Sequence, residues 1–87
     1  SMTVKTVEIV ATKAGVVAEK DGKYFGILYE DGHGTSYGFG DITKARISNP
    51  EYCKEPTDMV NKDSHYRGML ETASLKNVRI ETRYYVV

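Results

Sequence analysis

The sequence has no surplus of charge of either sign, no long apolar run and only one cysteine. Twelve Lys and Arg residues balance twelve Asp and Glu residues, which gives a formal net charge of zero. Because non-specific binding to nucleic acid depends on surplus positive charge, this balance argues against a general polyanion binder and leaves room only for a local basic patch. No apolar stretch approaches the ~20 residues of a membrane span, so we expect no membrane association.

The single cysteine, Cys53, cannot form a disulfide within the chain. Small secreted domains usually carry several cysteines, so this scarcity favours a reducing cytoplasm. We expect no secretory signal peptide, and we expect Ser1, which precedes Met2, to be a remnant of tag cleavage. These features together predict a cytoplasmic protein.

The length of 87 residues allows one domain, which we assign to residues 1–87. A domain of this size buries only about 60% of the surface that its unfolded chain exposes, so its stability is marginal or depends on association. We therefore predict a homodimer.

The first half of the chain predicts a meander of four strands. Asp21-Gly22 is a strong signal for a two-residue hairpin turn, because glycine supplies the positive φ that a type I′ turn requires. Asp31-Gly32-His33-Gly34 marks a second turn. The predicted strands cover 3–12, 15–20, 23–30 and 35–41.

The second half predicts a loop, a short helix and a final strand. Pro50 and Pro56 interrupt regular structure, which predicts a loop over 49–63. Apolar residues at helical spacing predict a helix over 64–73. Strict alternation then predicts a strand over 77–87, with one face formed by Val78, Ile80, Tyr84 and Val86 and the other by Arg79, Glu81, Arg83 and Tyr85. This strand lacks a protective charge at its end, so we expect it to be internal to the sheet or paired across subunits.

These elements indicate an α+β fold that is mostly β. We expect a curled antiparallel sheet of about five strands, or a small SH3-like or OB-like barrel, with one short helix covering an open end.

The stretch "GTSYG" (34–38) matches the G-x-S-x-G pattern of serine hydrolases in letters. A nucleophile elbow requires a strand, a sharp turn and a following helix within a much larger α/β sheet. Ser36 instead lies within an alternating strand pattern, so we reject serine catalysis. The glycines are better explained by backbone needs, since Gly38 and Gly40 leave one strand face bare for the close approach of another segment or a ligand.

Other chemistry finds little support in the motifs. The glycine spacing fits neither G-x-G-x-x-G nor a P-loop, which argues against phosphate cradling. His33, Cys53 and His65 are irregularly spaced and do not form a zinc signature. We expect no metal site and no cofactor. A small enzyme that uses His65 with Cys53 or a carboxylate is the least favoured alternative.

Seven tyrosines and two phenylalanines provide the main recognition chemistry. Cross-strand core packing explains several of them, whereas exposed tyrosines suit a binding surface because they offer large contact area at low entropic cost. A third reading is base stacking beside arginines of the last strand.

The segments "YCKEPTDM", "SHYRGMLETA" and "VRIETRYYVV" resemble small uncharacterised accessory proteins of tailed bacteriophages. The resemblance covers about the last half of the chain and contains no specific functional motif. It implies a protein made in the cytoplasm of an infected bacterium, of a class that often binds and disables a host factor.

The leading hypothesis is therefore a non-enzymatic binding protein that inhibits or modulates a host protein. The alternative is a nucleic-acid or nucleotide-binding module that uses the last strand, with Arg67 nearby. The candidate binding residues are Tyr37, Phe39, Tyr52, His65, Arg67, Arg79, Arg83 and Tyr85.

Overall fold

A computed structural model describes residues 3–87, and the expectation about Ser1 lies outside this range. The strands are β1 (Val7–Lys20), β2 (Lys23–Asp31), β3 (Gly34–Gly40) and β4 (Ser74–Val86). They form one antiparallel sheet in the order β3-β2-β1-β4. A 3₁₀ turn (Ile42–Lys44) follows β3, and a second one (Pro56–Met59) and a single helical turn, α1 (Arg67–Leu70), precede β4.

The turn between β1 and β2 is the hairpin that the sequence predicts. Asp21 has a φ of 52° and Gly22 a φ of 76°, and this pair of positive values is that of a type I′ turn. The two strands pair only beside this turn, through Glu19 with Tyr24 and Lys20 with Lys23. Beyond these pairs β1 and β2 diverge, and a gap opens between them.

Residues 44–48 pass through this gap. The backbones of Val16 and Ser48 exchange two hydrogen bonds of 2.9 Å, and the N–H of Arg46 donates to the carbonyl of Phe25 at 2.8 Å. Gly15 and Gly26 make the passage possible, because a Cβ on Gly26 would overlap the carbonyl of Lys44 and one on Gly15 would overlap the carbonyl of Ser48. Both glycines are therefore positions of close backbone approach.

The core lies where this segment, the proline loop and α1 meet the sheet. Phe25 and Leu70 are fully buried, and the predicted loop contributes Cys53, Thr57 and Met59 as buried residues. The loop thus packs against the sheet as part of the fold. The core cluster consists of Val16, Ala18, Phe25, Cys53, Met59 and Leu70. We call this part of the molecule the base.

Beyond the base, β1 and β4 continue as a two-stranded ribbon. Their register runs without interruption from Val7 opposite Val86 to Glu19 opposite Ser74. The outer part of this ribbon is mostly exposed, and the molecule is elongated, with extents of 63 × 32 × 23 Å. We call the ribbon formed by residues 7–14 and 79–86 the arm.

The mostly β architecture is confirmed, but the sheet is open and has four strands instead of about five. The two strands predicted over 3–12 and 15–20 are one strand, because Lys13, Ala14 and Gly15 pair in register with Ile80, Arg79 and Val78. No barrel forms from the described residues, since β3 and β4 both remain at sheet edges. The predicted helix over 64–73 is shorter in the structure, where it spans Arg67–Leu70.

Candidate interaction surface

One face of the arm is apolar. Directly opposed residues of an antiparallel pair share a face, so the register places Val7 with Val86 and Ile9 with Tyr84 on the same side. Their exposed fractions are 54%, 50%, 48% and 53%, respectively. We call this the apolar face, and it consists of Val7, Ile9, Ala11, Ile80, Thr82, Tyr84 and Val86, together with Lys13.

The apolar face continues toward the base as a groove. Ile42, Ala45 and Ile47 line one side of a cavity of about 250 Å³, and Ile80 and Tyr84 line the other. The segment that crosses the gap between β1 and β2 therefore supplies one wall of this groove. Lys13, Thr43 and Thr82 also line this groove, and the apolar surface of the arm continues beside them into the base.

The opposite face of the arm carries charges that compensate each other. Arg83 contacts Glu8 at 2.5 Å and Glu81 at 3.4 Å, and Arg79 contacts Glu81 at 3.4 Å. Ion pairs this exposed contribute little to stability, but they hold the local charge near neutrality. Tyr85 lies opposite Glu8 on this face, which we call the charged face.

The outer edge of β4 has no strand beside it in the described chain. Val16 directs both its N–H and its C=O toward Ser48 and hence away from β4. Because the direction of these groups alternates along an antiparallel ladder, every second residue of β4 directs its own groups outward. The residues with outward-facing N–H and C=O groups are Asn77, Arg79, Glu81, Arg83 and Tyr85.

The structure places Tyr37 and Phe39 in an aromatic cluster at the base. The ring of Phe25 lies 5.9 Å from that of Tyr37 and 5.8 Å from that of Phe39. Tyr66 completes the cluster, with its ring 5.3 Å from that of Tyr37. Tyr37 and Phe39 are half-buried and support the core with most of their surface.

His65 and Arg67 flank Tyr66. The imidazole of His65 lies 4.0 Å from the Tyr66 ring, and the Tyr66 hydroxyl accepts a hydrogen bond of 3.3 Å from the N–H of Tyr37. These contacts bring Tyr37 and His65 together at the Tyr66 side chain. A cleft of about 310 Å³ lies beside them, lined partly by Tyr37, Arg46, Asp58 and Tyr66.

Asp58 organises the loop at this cleft. Its Oδ2 accepts hydrogen bonds from the N–H groups of Lys54 at 2.8 Å and Glu55 at 3.0 Å. These two bonds hold the pKa of the Asp58 carboxyl below its usual value, and the nearby positive charge of Arg67 adds to the effect. The carboxylate therefore has a structural role in closing the loop.

Cys53 and Tyr52 are neighbours with opposite environments. Burial raises the pKa of the Cys53 thiol, and the negative charge of Asp58 raises it further. A thiol in this state is a weak nucleophile at neutral pH.

Tyr52 is 76% exposed on the loop. Tyr52 belongs to the base. Tyr85 lies far from it on the arm, about 34 Å along β4 from Leu75, the residue of β4 that packs against the core.

The candidate residues therefore form three groups. Tyr37 and Phe39 belong to the aromatic cluster, and His65 and Arg67 are the chain neighbours of Tyr66 in that cluster. Tyr52 lies apart on the loop, and Arg79, Arg83 and Tyr85 share the charged face of the arm. Sequence reasoning did not single out Val7, Ile9 or Ala11 as surface residues, because an apolar strand pattern usually indicates burial. The signal that could have identified them is the alternation of apolar and polar residues near both ends of the chain, which allows the two end segments to pair with their apolar residues on one face.

Ser36 lies in the middle of β3, opposite Tyr29, and not at a turn from strand to helix. The register shift between Ile27 and Tyr29 makes Leu28 an extra residue, which is a β-bulge. The Leu28 side chain lies over Gly38 and Gly40. The bare strand face predicted from these glycines is thus occupied by a residue of the neighbouring strand.

No family model, curated protein or solved structure matches the chain. Within residues 3–87, no three His, Cys, Asp or Glu side chains come close enough together to hold a metal ion. No helix in this same range has the length and apolar character needed to cross a membrane.

Proposed function

We propose that this chain is a non-enzymatic binding protein and that the apolar face of its arm contacts a protein partner. The observation that carries the proposal is the row of half-exposed apolar side chains formed by Val7, Ile9, Tyr84 and Val86. Contiguous apolar surface of this kind is uncommon on a monomer and marks interaction sites. The row lies on a two-stranded ribbon, and such a ribbon is only marginally stable alone in water. Contact with a partner would therefore stabilise the arm.

The groove at the foot of the arm favours a partner that presents apolar side chains. Ile42, Ala45 and Ile47 extend the contact surface toward the base. A helix or strand of the partner that lies along the arm would therefore contact the apolar face and the groove together. The resemblance to accessory proteins of tailed phages supports a protein of the infected bacterium as this partner, bound in the bacterial cytoplasm. Binding of this kind would inhibit or modulate the host protein.

One observation favours nucleic-acid or nucleotide binding as the second candidate. Arg79, Arg83 and Tyr85 share one face of the arm, as a base-stacking surface requires. Glu8 and Glu81 pair with these arginines, however, and a phosphate would have to displace them. We therefore rank this function second. A chain that does not bind single-stranded oligonucleotides at low salt would eliminate it.

The two faces of the arm provide a matched pair of variants for the main proposal. Ile9 and Val10 are neighbours in β1 with exposed fractions of 48% and 46%, and they lie on opposite faces. Ile9→Lys places a charge in the apolar face and is expected to reduce capture of the partner from a bacterial lysate at least tenfold. Val10→Lys places the same charge on the charged face and is expected to leave capture within about twofold.

Quantitative capture with tagged protein, followed by mass spectrometry, measures both variants, and circular dichroism verifies that each is folded. Equal capture by Ile9→Lys and wild type would contradict the assignment of the apolar face. Tyr52→Ala and Tyr85→Ala, measured in the same series, test the loop and the charged face as the contact surface. If only Tyr52→Ala reduces capture, the binding site lies on the loop, and if only Tyr85→Ala reduces it, the binding site lies on the charged face.

A further inference from the structure

We propose that the outer edge of β4 pairs with β4 of a second copy of this chain, in an antiparallel register centred on Thr82. This inference goes beyond the proposed function, because it concerns the purified chain alone and holds whether or not a foreign partner binds. It specifies an interface between copies and predicts which residues face each other across it.

The edge of β4 is well suited to pairing. It extends over 13 residues, Ser74–Val86, and contains neither proline nor a register shift against β1. Natural proteins usually protect an exposed edge with a bulge, a proline or charged side chains, and this edge has only the charged side chains. A long edge that neither a bulge nor a proline interrupts can serve as a template for another strand, provided that its charges find partners. The outward-facing backbone groups of Arg79, Glu81, Arg83 and Tyr85 would supply about eight hydrogen bonds across a symmetric junction.

Charge selects the register. A two-fold axis at Glu81 would oppose Glu81 to itself and Arg79 to Arg83, and like charges directly opposite each other are destabilising. An axis at Thr82 instead opposes Glu81 to Arg83 of the second copy, twice by symmetry. Arg79 then faces Tyr85 of the second copy, which is a favourable cation–aromatic pair.

The apolar residues select the same register. With the axis at Thr82, Ile80 faces Tyr84 of the second copy and Val78 faces Val86. An axis at Ile80 also opposes Arg79 to Glu81, but it places Lys76 against Tyr84 and Ser74 against Val86. Cross-strand pairs of like polarity stabilise a sheet, so the Thr82 register is favoured over this alternative.

The dimer would join two ribbons into one four-stranded arm. The two-fold axis stands perpendicular to the sheet, so the apolar faces of both copies lie on the same side. This arrangement gives the ribbon the third and fourth strands that an isolated two-stranded ribbon lacks. It also doubles the continuous apolar surface without burying it.

Disulfide trapping tests the register. In the Thr82→Cys variant the two introduced cysteines would lie opposite each other with Cα atoms about 4.5 Å apart, within reach of a disulfide. Ala11→Cys is the matched control, because Ala11 lies opposite Thr82 on the same face but one strand farther from the axis. Its two copies would be about 14 Å apart, beyond disulfide reach.

Mild oxidation of purified protein at tens of micromolar, analysed on non-reducing gels, is expected to convert most of the Thr82→Cys variant to a covalent dimer. Ala11→Cys is expected to remain at the level of wild type, whose only cysteine is buried. Sedimentation of the unmodified protein at the same concentration is expected to show a dimer. The proposal would be overturned if both variants cross-link equally or if neither does. Cross-linking of Ile80→Cys in place of Thr82→Cys would overturn it as well, and so would a monomer in sedimentation.

Discussion

The Gly26→Ala variant is expected to lose about 3 kcal/mol of unfolding free energy, at the upper end of the cost of overpacking a closely packed site. The added Cβ would overlap the carbonyl of Lys44, which is backbone and cannot move aside by a change of rotamer. Relief would require residues 44–46 to move away, which would break the hydrogen bond from Arg46 to Phe25. A chain of this length has a total stability of about 4–13 kcal/mol, so a large share would be lost.

Gly32→Ala is the matched control for this prediction. Gly32 lies in the turn between β2 and β3, and a Cβ there meets no atom of residues 3–87 within 4 Å. Its unfolding free energy is expected to stay within about 0.5 kcal/mol of wild type. Urea titrations followed by circular dichroism measure both variants. Equal midpoints for Gly26→Ala and Gly32→Ala would show that residues 44–46 do not pass over Gly26.

The Phe25→Ala variant is expected to be the most damaging truncation, with a cost of about 3–5 kcal/mol. Phe25 is fully buried, and its ring contacts those of Tyr37, Phe39 and Tyr66 with centroids 5.8–6.4 Å apart. Removing it leaves a cavity at the point where the sheet, the loop and α1 meet. The loss is a large share of a total stability of about 4–13 kcal/mol, and at the lower end of this range it would unfold most of the population.

Tyr52→Ala is the control for this truncation, because it also removes an aromatic ring but from a side chain that is 76% exposed. Its unfolding free energy is expected to remain within about 0.5 kcal/mol of wild type. Thermal unfolding followed by circular dichroism compares the two. A Phe25→Ala variant as stable as Tyr52→Ala would place the core elsewhere than in the aromatic cluster.

The local features of the fold could be predicted from the sequence. Asp21-Gly22 predicts a type I′ turn, which the structure contains, because this turn type depends on residues adjacent in the chain. The alternation of Val78, Ile80, Tyr84 and Val86 likewise predicts their common face, which the register confirms. Turn chemistry and strand period are properties of short segments, and they remain readable without tertiary information.

The non-local features could not be predicted in this way. The sequence predicts separate strands over 3–12 and 15–20, but β1 is continuous, and Gly15 lets the backbone of Ser48 approach it. Gly38 and Gly40 suggest an open face, but the bulge at Leu28 places a side chain over them. In each case the decisive neighbour lies ten or more residues away, and nothing in the local pattern identifies it.

In the candidate binding surface, too, local features could be predicted from the sequence and non-local features could not. The sequence indicates that Arg79, Arg83 and Tyr85 share a face of the last strand, and the pairing with β1 agrees. The ion pair between Arg83 and Glu8 joins residues at opposite ends of the chain and emerges only from the tertiary structure. The exposure of Ile9 on a ribbon that extends past the core is also a tertiary property, since the same residues would be buried in a closed barrel.

Amide hydrogen exchange tests directly whether the arm, which extends from the base, is stabilised by association between copies. The N–H groups of Arg79, Glu81 and Arg83 face outward, whereas those of Ile80 and Thr82 face β1. We predict that exchange at Arg79, Glu81 and Arg83 slows as the protein concentration rises, while Val17 in the base stays protected throughout. Exchange at these three residues that does not depend on protein concentration would show that the edge of β4 does not pair between copies.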